Sequence, residues 1–216
     1  MNRLVLYNYW RSGPSYRVRM ALALKGVAYE YVGINLLADE QRSPAHGARH
    51  PLHLVPSLQV PDGRMLTQSP AILEWLEETY PDPPLLPGDA WARAQIRAMA
   101  ALIGCDIHPL QNLRVLKYLE TECQQDPSQR STWCRRWIVD GFAALETLIA
   151  QGRPGRFAWG DAPSLVDIYL LPQMLSARRF QVDLSLYPAL CAIEEAALAH
   201  PAIASAHPDR QPDAAK

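Results

Sequence analysis

Near its start the chain reads YWRSGPSYRVRMALALKG. Three arginines (Arg11, Arg17, Arg19) and two serines (Ser12, Ser15) crowd a Gly13-Pro14 break, directly after the apolar run RLVLYNYW. A helix that begins after a strand points unpaired N–H groups and partial positive charge at whatever lies before it. Ser12 adds a hydroxyl donor and Arg11 a guanidinium, so the junction suits a thiolate or a carboxylate. Pro14 fits the first helical position but removes one N–H from the anion site. The competing reading of these residues alone is a capped helix with solvated arginines. Two more stretches carry related chemistry. LVPSL sets Val55-Pro56 just before a strand, and an X-Pro bond is where a cis peptide can occur. TQSPAILEWL opens a helix with Ser69 as N-cap and Pro70 at the first helical position, beside the Gln68 amide. That start is a second anion site or a plain structural cap.

The elements around these residues follow from pattern. RLVLYNYW is short and β-rich, a buried strand. From 15 to 25 the apolar residues fall at helical spacing, and Gly26 closes the helix. AYEYVGIN is a second strand, so the order predicts a βαβ unit with parallel strands. A looser His- and Arg-rich segment spans 39–54. VPSLQV, PDGR and MLTQ read as strand, turn and strand. The first 80 residues are thus an α/β domain with a mixed sheet. Residues 81–90, with Pro81, Pro83, Pro84 and Pro87, can neither continue a helix nor join a central strand, and form an interdomain linker. Beyond it, 91–216 is all-helical, with apolar-periodic stretches at 91–119, 131–151, 165–179 and 190–200.

Composition narrows the partners. The 216 residues carry a formal net charge of −1, which disfavours a polyanion such as nucleic acid. The four cysteines (Cys105, Cys123, Cys134, Cys191) form no C-x-x-C and no metal-ligand spacing. They read as unpaired thiols in a reducing compartment, with no metal site. No signal-peptide pattern and no 18-residue apolar stretch is present, so a cytoplasmic protein off the membrane is expected. The six tryptophans read as core and interface anchors.

Taken together, the three stretches resemble the thioredoxin-like N-terminal domain of cytosolic glutathione transferases. The resemblance covers nearly the whole chain: APSLVDIYLLP, with Ser164 and Asp167, looks like that family's capping box in a core helix of its all-helical second domain. YWRSGPSYRVRMALALKGVAYEYVGINL, HPLQNLRVLKYL, PQMLSARRFQVDLSLYP and the tail RQPD are similar to the zeta class, which includes maleylacetoacetate isomerase and the bacterial glutathione-dependent maleylpyruvate isomerases. The resemblance implies glutathione as a nucleophilic cofactor and the cis-to-trans isomerisation of a maleyl keto acid in aromatic catabolism. It implies a cis Val55-Pro56 whose Val55 backbone holds the cysteinyl part of glutathione, and a Gln68-Ser69 pair on the γ-glutamyl carboxylate. It also implies a two-fold homodimer. One departure stands out. Gly13 and Pro14 occupy positions where the class usually has Ser and Cys, so Ser12, Ser15 or backbone N–H groups are left to activate the thiol.

The substrate is at least a dianion, and arginine suits bidentate recognition of carboxylates. Arg11 lies beside Ser12; the resemblance adds Arg114 and Arg179 and implies that all three line the cleft between domains. Arg17 and Arg19, inside the helix, read as supports of the junction. His108 and Asn112 are expected to share a helix with Arg114, and with His53 they are candidates to hold glutathione. Two other functions use the same residues: a glutathione transferase or dehalogenase acting on small halo-acids, and a non-catalytic interaction protein of the same fold. The loss of the motif Cys favours the latter; the retention of all three glutathione-type stretches opposes it.

Overall fold

The computed structural model describes residues 3–153 and 155–214. By contact these fall into two compact units, Met1–Pro84 with Ala199–Lys216, and Leu85–Leu198.

The first unit opens with β1 (Leu4–Asn8), α1 (Gly13–Leu24) and β2 (Tyr29–Gly33). The helix ends at Lys25, and Gly26 takes φ +63, the left-handed turn that glycine adopts without a Cβ penalty. β1 and β2 run parallel. A short α2 (Pro44–Arg49) lies in the segment read as loose, followed by β3 (Ser57–Gln59), β4 (Met65–Thr67) and α3 (Ser69–Thr79). β3 pairs antiparallel with both β1 and β4, giving a four-stranded mixed sheet of order β2-β1-β3-β4 among the described residues. This β-α-β then β-β-α arrangement is thioredoxin-like. Leu6, Leu58, Val18, Leu22, Ile72 and Leu76 are fully buried and form the core between the sheet, α1 and α3. The Lys25 ammonium is buried and donates to Glu77 at 2.7 Å and to the carbonyls of Tyr80 and Pro83. That fastens the end of α1 to the end of α3 and to the first half of the proline-rich stretch.

The second unit contains α4 (Ala90–Ala101), α5 (Leu113–Thr121), α6 (Pro127–Gln151), α7 (Leu165–Arg179) and α8 (Pro188–Leu198). The stretch at 91–119 is not one helix. After α4 the backbone widens into a π turn at Leu102–Ile107, tightens into a 3-10 turn at His108–Gln111, and restarts at α5 with Asn112 as cap. Pro109 offers no N–H to continue the ladder. α7 is the core helix: Leu165–Met174 are all buried. Asp167, wholly buried, accepts from the N–H and Oγ of Ser164 (2.7 and 2.8 Å) and from the Ala158 N–H (2.9 Å). Burial pushes its carboxyl up while these three donors pull it back.

The sequence reading carried the helical domain to residue 216. In the structure the last segment, with α9 (Pro201–Ser205), packs on α1 and belongs to the first unit.

Candidate active site

Sheet register brings three of the sequence candidates to one end of the first unit. β1 ends at Asn8, β3 begins at Ser57 opposite Tyr7, and β4 ends at Thr67 opposite Ser57. The β1–α1 junction, the Val55-Pro56 bond and the Gln68-Ser69 pair therefore leave the sheet at the same end of its strands, within about two strand spacings, or roughly 10 Å. Val55 packs with Tyr9 and Ile34, with Trp10 against the same cluster. The junction and the segment before β3 thus share one small core.

At the junction Ser12 is the N-cap of α1. Its Oγ accepts the Ser15 N–H at 3.3 Å, which leaves the hydroxyl proton to donate elsewhere. Ser12 and Gly13 are half-buried; Arg11 is exposed, its guanidinium 5.8 Å from the Trp10 ring centre. Ser15, the other hydroxyl offered by the sequence, is fully buried with its oxygen turned to the Tyr9 N–H. It supports the turn and is not placed to touch a ligand, which corrects its reading as a catalytic candidate.

Val55-Pro56 is cis. Among the described residues no hydrogen bond is made by the Val55 N–H or carbonyl. An extended backbone left open in this way can pair with a peptide-like ligand. The segment leading to it is held by histidines. His46, fully buried, donates from Nε2 to the Leu54 carbonyl at 2.8 Å, and His53 donates from Nδ1 to the Gln41 carbonyl at 2.9 Å. His53 itself is exposed and left-handed at φ +54. Gly47 makes room for its ring, since a Cβ there would lie 2.8 Å from His53 Cε1.

At the third position the cap is Gln68 and not Ser69. Gln68 sits at φ +69, ψ +114 with no capping hydrogen bond from its side chain, and α3 starts at Ser69. A non-glycine residue held there costs about 1–3 kcal/mol, and such strain clusters at ligand clamps. Neither α1 nor α3 has an acidic residue in its first turn. Both helix N-termini are therefore open to an external anion.

The second unit carries the remaining candidates. His108, on the 3-10 turn, and Asn112 are half-buried, and Arg114 is exposed in the first turn of α5. They do not share a helix as expected. Asn112 uses its Oδ1 to cap α5 by accepting the Arg114 N–H at 3.2 Å, and its amide N–H groups remain donors. Arg179 is exposed at the end of α7, its guanidinium 5.6 Å from the Phe180 ring centre. Its charge opposes the burial that pushes the Cys134 thiol up to about 11.

Sequence reasoning passed over the strained Gln68 backbone and the buried polar residues behind the junction. Arg19 is fully buried. It donates to Asn8 Oδ1 (2.9 Å) and to the carbonyls of Tyr9 (3.3 Å), Trp10 (2.8 Å) and Ala206 (3.2 Å). The sequence marked Arg19 as a support of the junction; three carbonyls and an amide oxygen are the acceptors through which it does so.

A thioredoxin-like sheet with two open helix N-termini and a cis-proline loop at one end of its strands, joined to an all-helical unit, defines a glutathione transferase fold. The profile of the glutathione S-transferase N-terminal domain matches residues 12–79. Maleylpyruvate isomerase of a Ralstonia species is 50% identical over 211 residues, spanning 97% of this chain and 99% of that protein. The holo structure of a maleylpyruvate isomerase described as a bacterial zeta-class glutathione transferase superposes with a TM-score of 0.94 at 49% identity, covering 98% and 100% of the two chains. Maleylacetoacetate isomerase from Anaeromyxobacter dehalogenans, solved with glutathione in its active site, gives 0.89 at 51% identity, covering 99% and 98%. The chain belongs to the zeta-class glutathione transferase family, with the maleylpyruvate and maleylacetoacetate isomerases.

Proposed function

We propose that the protein isomerises a maleyl keto acid, maleylpyruvate or maleylacetoacetate, from cis to trans with glutathione as nucleophilic cofactor. The observation that carries the reading is the convergence of Ser12, Val55-Pro56 and Gln68-Ser69 at one end of the sheet's strands in a chain of this family. The donor set fits glutathione: a free hydroxyl proton for a sulfur, an open backbone for a peptide, and an uncompensated helix start for a carboxylate.

Bound glutathione supplies a thiolate that adds to the conjugated double bond, so that the bond can turn before the sulfur leaves again. The residues of this chain prepare that chemistry. The Ser12 hydroxyl and the α1 N-terminus favour an ionised sulfur over the neutral thiol. Gln68, Ser69 and the start of α3 hold the γ-glutamyl end, and Val55 holds the cysteinyl end. His53, His108 and Asn112 are assigned to the rest of the tripeptide. Arg11, Arg114 and Arg179 are assigned to the substrate carboxylates and to the negative charge that grows on the keto oxygen. The protein is read as a homodimer. Four free thiols fit a reducing, cytoplasmic setting.

The test is a set of progress curves with each maleyl acid, with and without glutathione, beside a panel of α-halo acids. Turnover of a maleyl acid that requires glutathione and leaves its concentration unchanged is expected. Consumption of glutathione with halide release would move the assignment to a dehalogenase, and no turnover of any substrate would move it to an interaction protein. A sedimentation run gives the oligomeric state.

A further inference from the structure

The peptide that carries Arg11 and Ser12 is held from the far end of the chain. The Trp10 N–H donates to Asp213 Oδ2 at 3.1 Å, and the Trp10 carbonyl accepts from Arg19 at 2.8 Å. The preceding carbonyl, Tyr9, accepts from both Arg19 and the Ser12 N–H. Both faces of the turn entering Ser12 are therefore fixed by side chains from elsewhere in the first unit. Asp213 is itself fixed, because its other oxygen accepts the Tyr31 hydroxyl. Room for it comes from Gly33 at the end of β2, where a Cβ would lie 3.2 Å from Asp213 Oδ2. Tyr16, Tyr29, Tyr31 and Asp213 are the titratable groups whose fields reach Arg19. Burial raises the two phenols Tyr29 and Tyr31 and so keeps them neutral, and the carboxylate facing the buried guanidinium is Asp213.

We propose that Asp213 is a positioning residue for the thiol-activating turn, setting where the Ser12 hydroxyl and the Arg11 side chain sit by gripping the Trp10 peptide. This rests on Ser12 being the donor to the glutathione sulfur. Asp213 touches neither cofactor nor substrate, and its effect passes through the backbone.

The sign of one measurement separates this role from a field effect. A carboxylate near the site disfavours a thiolate, so removing it for its charge alone would lower the pKa of bound thiol. Releasing the turn would do the opposite, because Ser12 would donate less well. Asp213→Ala is therefore expected to raise the pH midpoint of the bound thiolate, followed by ultraviolet absorbance, by about one unit. It should lower kcat about tenfold and leave glutathione Kd within about threefold, since Gln68 and Ser69 are untouched. Asp213→Asn keeps an acceptor for the Trp10 N–H without the charge, and should recover most of kcat. Gly33→Ala, which pushes the carboxylate by a few tenths of an ångström while keeping its charge, should move the thiol midpoint in the same direction as Asp213→Ala by a smaller amount. Melting temperatures identify any variant that has simply unfolded, and the three are compared only where folded. A folded Asp213→Ala protein with unchanged or lowered thiol pKa and unchanged kcat overturns the proposal. If the wild type shows no lowered thiol pKa at all, it is the assignment of Ser12 that fails.

Discussion

The Ser12 hydroxyl can serve its helix and a ligand at once, because the two uses draw on different parts of it. The oxygen accepts the Ser15 N–H, and the proton is left for a sulfur. Ser12→Ala removes both. Loss of the cap should cost about 1 kcal/mol of stability. Loss of a hydrogen bond to a charged sulfur, about 1.5–3 kcal/mol, should raise the bound thiol pKa and lower kcat roughly 10- to 100-fold. Steady-state kinetics with a thiolate titration reads this; an unchanged titration would leave activation to the helix N–H groups alone. Gln68 differs, holding a strained backbone conformation at the start of α3 without a capping hydrogen bond from its side chain. Gln68→Gly removes the Cβ clash at φ +69 and should raise stability by about 1 kcal/mol. It should also weaken glutathione by about 1–3 kcal/mol, through loss of the amide. Denaturant titration and calorimetry on the same sample check both; a variant less stable than wild type would show that the strain is not there to relieve.

At the scale of elements, the segment 39–54 shows where sequence pattern gives out. The strands around it were legible from β-branched runs and the Pro-Asp-Gly turn, and α1 and α3 from apolar spacing and their prolines. The segment itself has no apolar period, because polar side chains order it: His46 to Leu54, His53 to Gln41, and Leu52 N–H to His50. Such contacts leave no mark on hydrophobic patterning. The 91–119 stretch misled for the converse reason. Its apolar period runs on while the backbone passes through π and 3-10 turns, and only Pro109 and Asn112 mark the break. The histidine segment also carries a pH dependence. Burial and the neighbouring His46 and His53 push the His50 pKa below its ordinary 6.5. The folded state therefore binds this proton less readily than the unfolded one. The stability His50 confers is full above about pH 6.5 and is lost as pH falls toward its lowered value. The free energy of unfolding, read by denaturant titration, should drop between pH 7.5 and 5.5 more steeply in the wild type than in His50→Gln. Parallel slopes in the two proteins would place the titrating group elsewhere.

At the scale of the whole chain, the candidate site was legible where it is made of local motifs, and illegible where it depends on residues far apart in sequence. Arg11-Ser12, Val55-Pro56 and Gln68-Ser69 each announce themselves within a few residues. The contact of Arg19 with Ala206 and of Trp10 with Asp213 joins residues about two hundred positions apart, which no periodicity can report. Hence the tail was read with the helices it follows, although it completes the unit it started from. This has a consequence for stability. Ending the chain at Leu198 leaves 85–198 whole but strips α1 of Ile203, of the edge contact between Tyr16 and His207, and of the Ala206 acceptor for a guanidinium that is fully buried. One orphaned charged donor costs about 1–3 kcal/mol and the lost burial of an Ile-sized side chain a similar amount. Their sum is a large part of the 5–15 kcal/mol that holds a typical domain. Amide exchange should therefore collapse in β1 and α1 of the truncated protein while α7, which lies entirely within the intact unit, keeps its protection. Equal protection of β1 and α1 in the full and truncated chains would mean that the N-terminal elements close without the tail. Loss of protection in α7 as well would mean that the two units unfold as one.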